Sequence, residues 1–435
     1  MRGVAMVRIR LLAALAVVAL VAVACGGDGS EEAAVPTTAP ATTVAPATTA
    51  APITTAAPDT TAPSTTTSTT TAPPTTTAPT TAPTTTAPAT TAPTTTEPPP
   101  TTEAPEPEPE PEPVPEWEIV PGTEDCVCAD GSDYIFWVRE ADPTKVVFYL
   151  EGGGACFSLE SCSFTTGNYD PDVDPSDPSE DPSNAGGIFD FDNPLNPLRD
   201  YSFVGVPYCT GDVHLGNATT DYGGGDVHHN GFVNATTALA EAVERFGGAT
   251  EVVVAGTSAG SASAALYGGL AADAWPEAGI TVLADASGAY PSVPAINAFI
   301  GGFWGTTTVV PDWPVNEGMT PEEWGLPELF IQAGLHAPRI RFGRYDNAFD
   351  STQEFFASLA GFDASSIDQL MALNEASIEA AGVNQASYTA PGQDHGILYS
   401  DMMYTLEVEG VAFLDWFTRF VGGVDVDDVT CVDCS

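Results

Sequence analysis

Lysine is all but missing from this chain of 435 residues: Lys145 stands alone, and 11 Lys and Arg together face 59 Asp and Glu, a formal net charge of −48. Nucleic-acid binding requires Lys and Arg to displace condensed counterions, so a nucleic-acid partner is excluded, as is an anionic membrane surface held by charge. Aromatic residues are absent from residues 30 to 116, which are almost entirely Thr, Ala, Pro and Glu. Such a stretch cannot bury enough apolar surface to offset chain entropy, and no fold is assigned to it. The apolar run Leu11 to Ala24 has 14 residues, short of the roughly 20 that a membrane-spanning helix needs.

What is present divides at Glu116. The 319 residues beyond it are rich in Val, Ile, Leu, Phe and Gly and carry a net −40, enough chain for one large domain over 117–435. Before it, Arg2, Arg8 and Arg10 precede the short apolar run, and residues 1–24 read as a secretory signal. Cys25, followed by Gly26-Gly27-Asp28-Gly29-Ser30, resembles the lipid-accepting cysteine of a bacterial lipoprotein, although Ala22 stands where that pattern prefers a larger aliphatic residue. Residues 25–116 then read as a lipidated anchor and a Pro-rich tether. At about 3.1 Å per residue, such a tether reaches on the order of 250 Å, far enough to carry a domain through a cell wall. The expected location is extracellular, tethered to the bacterial surface, and a monomer is expected.

Seven cysteines remain without Cys25: Cys126, Cys128, Cys156, Cys162, Cys209, Cys431 and Cys434. An odd number leaves at least one thiol unpaired. Cys156 and Cys162 are expected to close a short loop, and the pairs 126/128 and 431/434 to staple the ends of the domain together, leaving Cys209 free. Cys431-Val-Asp-Cys434 has the spacing of half a zinc site, but an oxidising location favours disulfides.

From Lys145 the pattern alternates strand and helix. Val146 to Leu150 is a buried-strand run that stops at Glu151-Gly152-Gly153-Gly154, and Ser202 to Val206 ends at Pro207 in the same way. Phe232 to Phe246 has helical spacing. Glu251 to Ala255, the most strand-like run, passes through Gly256-Thr257-Ser258-Ala259-Gly260 into an Ala-rich helix ending near Ala274. Strands at Ile280 to Ala284 and Ile340 to Arg344, the latter followed by a helix, and a long helical region from Leu398 to Phe420 complete a mostly parallel sheet covered on both faces. Residues 170–182, dense in Asp and Pro, read as a solvated insertion rather than a calcium loop, because no Gly-centred turn is present.

Gly256-x-Ser258-x-Gly260 between a strand and a helix is the sharpest chemical signal, since a serine on that turn is pushed out of the sheet with its hydroxyl exposed. A serine needs a base, and of His214, His228, His229, His336 and His395 only His395 lies late in the chain, ahead of a terminal helix. The orienting acid belongs just past a late strand, where Asp346 and Asp350 both qualify; either also reads as a helix cap. Backbone N–H groups for an oxyanion are expected from Ala259 and the Gly152–Gly154 loop. No Lys-Ser/Thr follows those glycines, which excludes a phosphate loop.

At these residues the chain resembles the pectin acetylesterase and Notum family of carboxylesterases. The shared landmarks are Leu150-Glu-Gly-Gly-Gly-Ala-Cys156 with Cys162, Val206-Pro-Tyr-Cys-Thr-Gly211, and Gly256-Thr-Ser-Ala-Gly260. Further along come Ala284-Asp-Ala-Ser-Gly288, Phe349-Asp350-Ser-Thr-Gln353 and Asp394-His395. The resemblance implies an α/β-hydrolase fold with Ser258 as nucleophile and His395 as base. It tips the acid toward Asp350, with Asp346 as runner-up, and it implies Gly153, Gly154 and Ala259 as oxyanion donors and Asp285 as a structural residue. No metal or cofactor is expected. Ala155 replaces a frequent Trp or Tyr, and Ser261 a frequent glycine, so the acyl group is not inherited from any relative. Thr210 to Gly216 and His228-His229-Asn-Gly231 look like features of bacterial members and are expected to line the pocket.

The expected function is a serine carboxylesterase acting on acetyl or short-chain acyl esters of neutral glycans or small alcohols. A domain at −40 repels polygalacturonate. The rival readings are a surface-binding lipoprotein that kept the scaffold without catalysis, and a peptidase of the same fold.

Overall fold

Along Val146-Val147-Phe148-Tyr149-Leu150 every side chain is buried, yet the residues divide by parity: Val146, Phe148 and Leu150 join one apolar cluster, Val147 and Tyr149 another. Side chains alternate across a strand, so a run buried at every position belongs inside a sheet covered on both faces. The computed structural model describes residues 115–434, and the strands, in chain order, are β1 (Trp117–Pro121), β2 (Ile135–Arg139), β3 (Asp142–Leu150), β4 (Tyr201–Val206), β5 (Ala218–Asp221), β6 (Asp226–His229), β7 (Glu251–Thr257), β8 (Gly279–Asp285), β9 (Arg341–Asn347), β10 (Gln385–Ala390), β11 (Glu407–Val408), β12 (Val411–Ala412) and β13 (Val429–Thr430). The helices are α1 (Gly231–Phe246), α2 (Ala259–Ala274), α3 (Pro294–Trp304), α4 (Leu326–His336), α5 (Ser351–Leu359), α6 (Ile367–Ala380) and α7 (Phe413–Val421). The expected signal segment, Cys25 and the tether up to residue 114 lie outside the described residues.

Nine strands form the main sheet in the order β1-β2-β4-β3-β7-β8-β9-β10-β13. From β4 through β13 all neighbours are parallel; β1 and β2 add an antiparallel edge. On one face Val146, Phe148, Leu150, Val252, Val254, Val282 and Phe342 pack with α1, α2 and α4; on the other, Val147, Tyr149, Val253, Leu283, Tyr345 and Tyr388 pack with α7. This is an α/β-hydrolase fold. Helix α7 shows why short helices suffice: Phe413, Trp416, Phe417 and Phe420 repeat at helical spacing on one side, all buried. Burying each contributes about 2–3 kcal/mol.

Two expectations are corrected. The region from Leu398 to Phe420 is not one helix: a single 3₁₀ turn (Asp401–Tyr404) and the β11–β12 hairpin precede α7. Glu409 and Gly410 both take left-handed backbone angles at the hairpin tip, φ 52° and 82°, which no helix continues through. Cys156 and Cys162 close their short loop as expected, but the other cysteines pair differently. The disulfides are Cys128–Cys209, Cys156–Cys162 and Cys431–Cys434, and the free thiol is buried Cys126. The ends of the domain are therefore not stapled to each other. Cys128 sits on a turn whose successor, Ala129, donates its N–H to the Cys209 carbonyl at 3.0 Å, so backbone pairing had already brought 128 to 209.

Candidate active site

Strand β7 ends at Thr257 and α2 begins at Ala259, leaving Ser258 alone on the corner with φ 54° and ψ −117°. A non-glycine residue in this region costs about 1–3 kcal/mol and persists only where its surroundings impose it. Here they do: Ser258 N–H donates to the Asp285 carbonyl at 2.7 Å, and Ser261 Oγ donates to the Ser258 carbonyl at 2.8 Å. A Cβ on Gly260 would collide with the Leu150 carbonyl, and one on Gly256 with the backbone of Gly260. The turn is thus pressed against the end of β3, where the glycine loop begins.

In that loop Gly153 and Gly154 have φ 157° and 90°, and a Cβ on Gly154 would collide with the Asn168 carbonyl. The N–H groups of Gly153, Gly154 and Ala259 enter none of the main-chain hydrogen bonds of the described residues. Ala259 also opens a helix of 16 residues, whose N-terminal amides carry partial positive charge.

Asp350 caps α5 and touches histidine at the same time. Its Oδ1 accepts the N–H groups of Thr352 (2.9 Å) and Gln353 (3.0 Å), while Oδ2 accepts Gln353 Nε2 (3.1 Å) and His395 Nδ1 (2.7 Å). The carboxylate is fully buried and the histidine about one-fifth exposed. With Nδ1 donating to Asp350, Nε2 is the bare nitrogen; it is buried and without a partner. Asp346, the other candidate acid, does not reach the histidine. It faces Arg344, with Nε and Oδ2 2.8 Å apart in a contact too poorly aligned to count as a hydrogen bond, and accepts Gly288 N–H and Gln353 Nε2. Burial pushes its carboxyl up, against the pull of Arg344.

Asp285 joins the serine corner to the histidine loop. Its carboxylate accepts Thr257 Oγ1 (2.9 Å) and the N–H groups of Ile397 and Leu398 (each 2.9 Å to Oδ2). Burial pushes this carboxyl up to about 6, opposed by those donors and by His395. Tyr399 hydroxyl donates to the His395 carbonyl. Neither contact is visible in spacing alone, though Ala284-Asp-Ala-Ser-Gly288 marked Asp285 as structural.

Two cavities meet at Ser258, Gly154 and Phe356. One, of about 130 Å³, is apolar, lined by Ala155, Val213, Ile296, Ile300, Trp304 and Leu329 among others. The second, of about 620 Å³, holds His395, Glu151, Glu180 and Asp181. The 170–182 insertion is therefore not merely solvated, since its end walls the cleft. No Lys or Arg lines either cavity. Burial pushes the Glu151 carboxyl up to about 7, with Tyr208 N–H resisting and negative Glu180 and Asp170 adding to the rise.

The remaining histidines are not in these walls. His229 bridges the Thr210 carbonyl and Tyr222 hydroxyl, both at 2.9 Å, His228 meets Thr219 Oγ1 at 3.1 Å, and His214 Nε2 lies 2.9 Å from the Glu151 carbonyl. Buried His214 and His229 stand behind the pocket with polar partners; of the two segments expected to line it, 210–216 does so through Val213 and Leu215, and His228-His229-Asn-Gly231 does not. His336 is far along α4, paired with Asp273 and stacked on Trp313.

No curated protein matches the chain. Residues 115–298 match the family model described as Pectinacetylesterase, a span that contains the glycine loop and the Ser258 corner and ends before Asp350 and His395. This match, together with the fold, supports assigning the chain to the pectin acetylesterase and Notum-like family of carboxylic ester hydrolases.

Proposed function

We propose that the protein is a serine carboxylesterase working through an acyl-enzyme. Ser258 Oγ attacks the ester carbonyl carbon as His395 Nε2 takes its proton, and Asp350 holds the Nδ1–H and the imidazolium that results. The N–H groups of Gly153, Gly154 and Ala259 receive the oxyanion. The C–O bond to the alcohol then breaks, the alcohol leaving with the proton from His395, and water repeats the attack to release the acid. The observation that carries this reading is the Asp350–His395 hydrogen bond with an unpartnered Nε2, in a cleft whose wall includes Ser258 on its strained corner. No hydrogen bond links Nε2 to Ser258 in this structure; catalytic hydrogen bonds are often long until the Michaelis complex forms.

The apolar cavity takes the acyl group and the larger acidic cleft the alcohol. A water-sized group occupies roughly 10–15 Å³ on the same measure, so about 130 Å³ exceeds what an acetyl methyl needs, and short chains beyond acetyl are accepted. An acidic cleft without a cation disfavours uronate alcohols and suits acylated neutral glycans or small esters. Three disulfides fit an oxidising, extracellular location, and we extend this to a surface tether at Cys25. The test is labelling by a fluorophosphonate probe together with p-nitrophenyl ester turnover across chain lengths. Labelling that persists in Ser258→Ala, or its absence in folded wild type, overturns the mechanism.

A further inference from the structure

The three glycines at 152–154 have no side chains to anchor them, so the aim of their N–H groups rests on what holds the loop from outside. Glu151 N–H donates to the Val206 carbonyl at 3.0 Å, and Cys156 N–H to the Gly211 carbonyl at 2.8 Å. Between those points the described residues supply one side-chain hydrogen bond to the main chain: His214 Nε2 to the Glu151 carbonyl, 2.9 Å. A carbonyl only accepts, so Nε2 carries the proton. Burial holds the His214 ring down to about 4, against the Glu151 carbonyl and Asp212, which makes it neutral in use. Fixing the Glu151 carbonyl fixes the plane of the 151–152 peptide. On the far side of that peptide a Cβ at Gly152 would come within 2.8 Å of Ser258 Cβ.

The effort spent on aiming this ring is visible in the backbone. Val213 and His214 both lie in the left-handed region, φ 51° and 57°, where a β-branched residue is an outlier. Buried Asp212 imposes it, accepting Thr210 Oγ1 (2.7 Å), His214 N–H (3.1 Å) and Gly231 N–H (2.8 Å). Val213 N–H donates to Tyr208 hydroxyl at 2.7 Å, and Tyr267 hydroxyl to the His214 carbonyl at 2.7 Å. The Tyr208 ring packs on His214 and lies where a Cβ of Gly153 would be. We infer that His214 is a positioning residue for ester hydrolysis: through the Glu151 carbonyl it sets the glycine loop at the geometry that receives the tetrahedral oxyanion. This rests on the reading of Gly153 and Gly154 as oxyanion donors; imidazole 214 itself never meets the substrate.

The experiment compares wild type, His214→Phe, which keeps a ring against Tyr208 but removes the N–H, and His214→Gln, whose Nε2 restores a donor. Each full chain is assayed with p-nitrophenyl acetate, with an alkylboronic acid that forms a tetrahedral adduct on serine, and for thermal unfolding. His214→Phe should lose about 10- to 100-fold in kcat and in boronate affinity, part of the loss from deleting an oxyanion donor outright, with KM within about threefold. His214→Gln should recover to within about fivefold of wild type. A folded His214→Phe within about twofold of wild type on both readouts, or a Gln variant no better than Phe, overturns the inference. Should His214→Phe fail to fold, Tyr267→Phe carries the same test at smaller size: about three- to tenfold in kcat at constant KM is expected, and no change overturns it. Wild type that turns over no ester and takes no fluorophosphonate on Ser258 would instead overturn the esterase mechanism itself.

Discussion

Asp346 and Asp350 lie four residues apart, are both buried, and share Gln353, yet replacing each by Asn should have opposite consequences. In Asp350→Asn the amide oxygen can keep the cap bonds that Oδ1 makes to Thr352 and Gln353, and the stability cost, from Gln353 Nε2 left without its acceptor, should be about 1–3 kcal/mol. The NH₂ then occupies the place of Oδ2, where it meets two donors, His395 Nδ1–H and Gln353 Nε2. The imidazole escapes by moving its proton to Nε2, the wrong tautomer for a base, and kcat should fall by about 10³- to 10⁴-fold, roughly 4–5.5 kcal/mol of barrier. In Asp346→Asn the buried Arg344 loses its nearest counter-charge, keeping only Glu375 at 3.5 Å, and the fold should lose on the order of 3 kcal/mol. Its folded fraction should turn over within a few-fold of wild type, because Asp346 makes no contact with His395. The assays are p-nitrophenyl acetate turnover on protein of verified fold and thermal unfolding. Asp350→Asn with more than a tenth of wild-type kcat, or Asp346→Asn as the more damaging to kcat, refutes the assignment.

Glu151 should ionise near pH 7 in the folded protein but near its ordinary 4.5 when unfolded, so the folded state binds the extra proton between those values and stability falls as pH rises through that window. Against wild type, Glu151→Gln should gain stability from about pH 4.5 to 7 and then plateau, by at most about 3 kcal/mol; a difference flat in pH, followed by thermal unfolding, contradicts the burial argument. Peptide mapping without reduction should recover 128–209, 156–162 and 431–434 linked, with Cys126 alkylated only after unfolding, and a 126–431 or 128–434 link would refute the pairing. Opening the 128–209 bridge, which closes 81 residues, should cost about 4 kcal/mol on the chain-entropy picture. Ala155→Trp should fill the apolar cavity and lower the ratio of hexanoate to acetate turnover by about tenfold or more; an unchanged ratio means the acyl group sits elsewhere.

Strands β3, β4, β7 and β8 are legible in the sequence because strands covered on both faces read as largely apolar runs, and the corner at Ser258 because only glycines fit at 256 and 260; β9, with Arg341, Arg344, Asp346 and Asn347 in it, shows only through its short start at Ile340 to Arg344. Strand β10 escapes, since Gln385-Ala-Ser-Tyr-Thr-Ala390 is too polar to stand out; Ser387 and Gln385 are nevertheless buried. The contact between Asp350 and His395 emerges only from the aromatic-Asp-x-x-Gln setting, for spacing past β9 serves Asp346 equally well. The local Cys156–Cys162 loop is legible, but the partner of Cys128 is not, because long-range pairing depends on which turns meet in space, and Cys128 meets Cys209, 81 residues away in sequence, beside a main-chain bond. His214 hides because its partner is a carbonyl, and every residue has one.

The carboxylate of Asp285 clamps the corner after β7 to the loop that bears His395, across 112 residues of intervening chain. The stretch it brackets includes α3 and the start of α4, which supply Ile296, Ile300, Trp304, Leu326 and Leu329 to the acyl cavity. The same stretch carries Asp350 beyond β9, so it holds both a part of the acyl wall and the acid of the relay. Evolution or an engineer can resurface α3 and the start of α4 to admit a different acyl group while Asp285 keeps the hydroxyl and the imidazole at their mutual spacing and β9 keeps Asp350 in place.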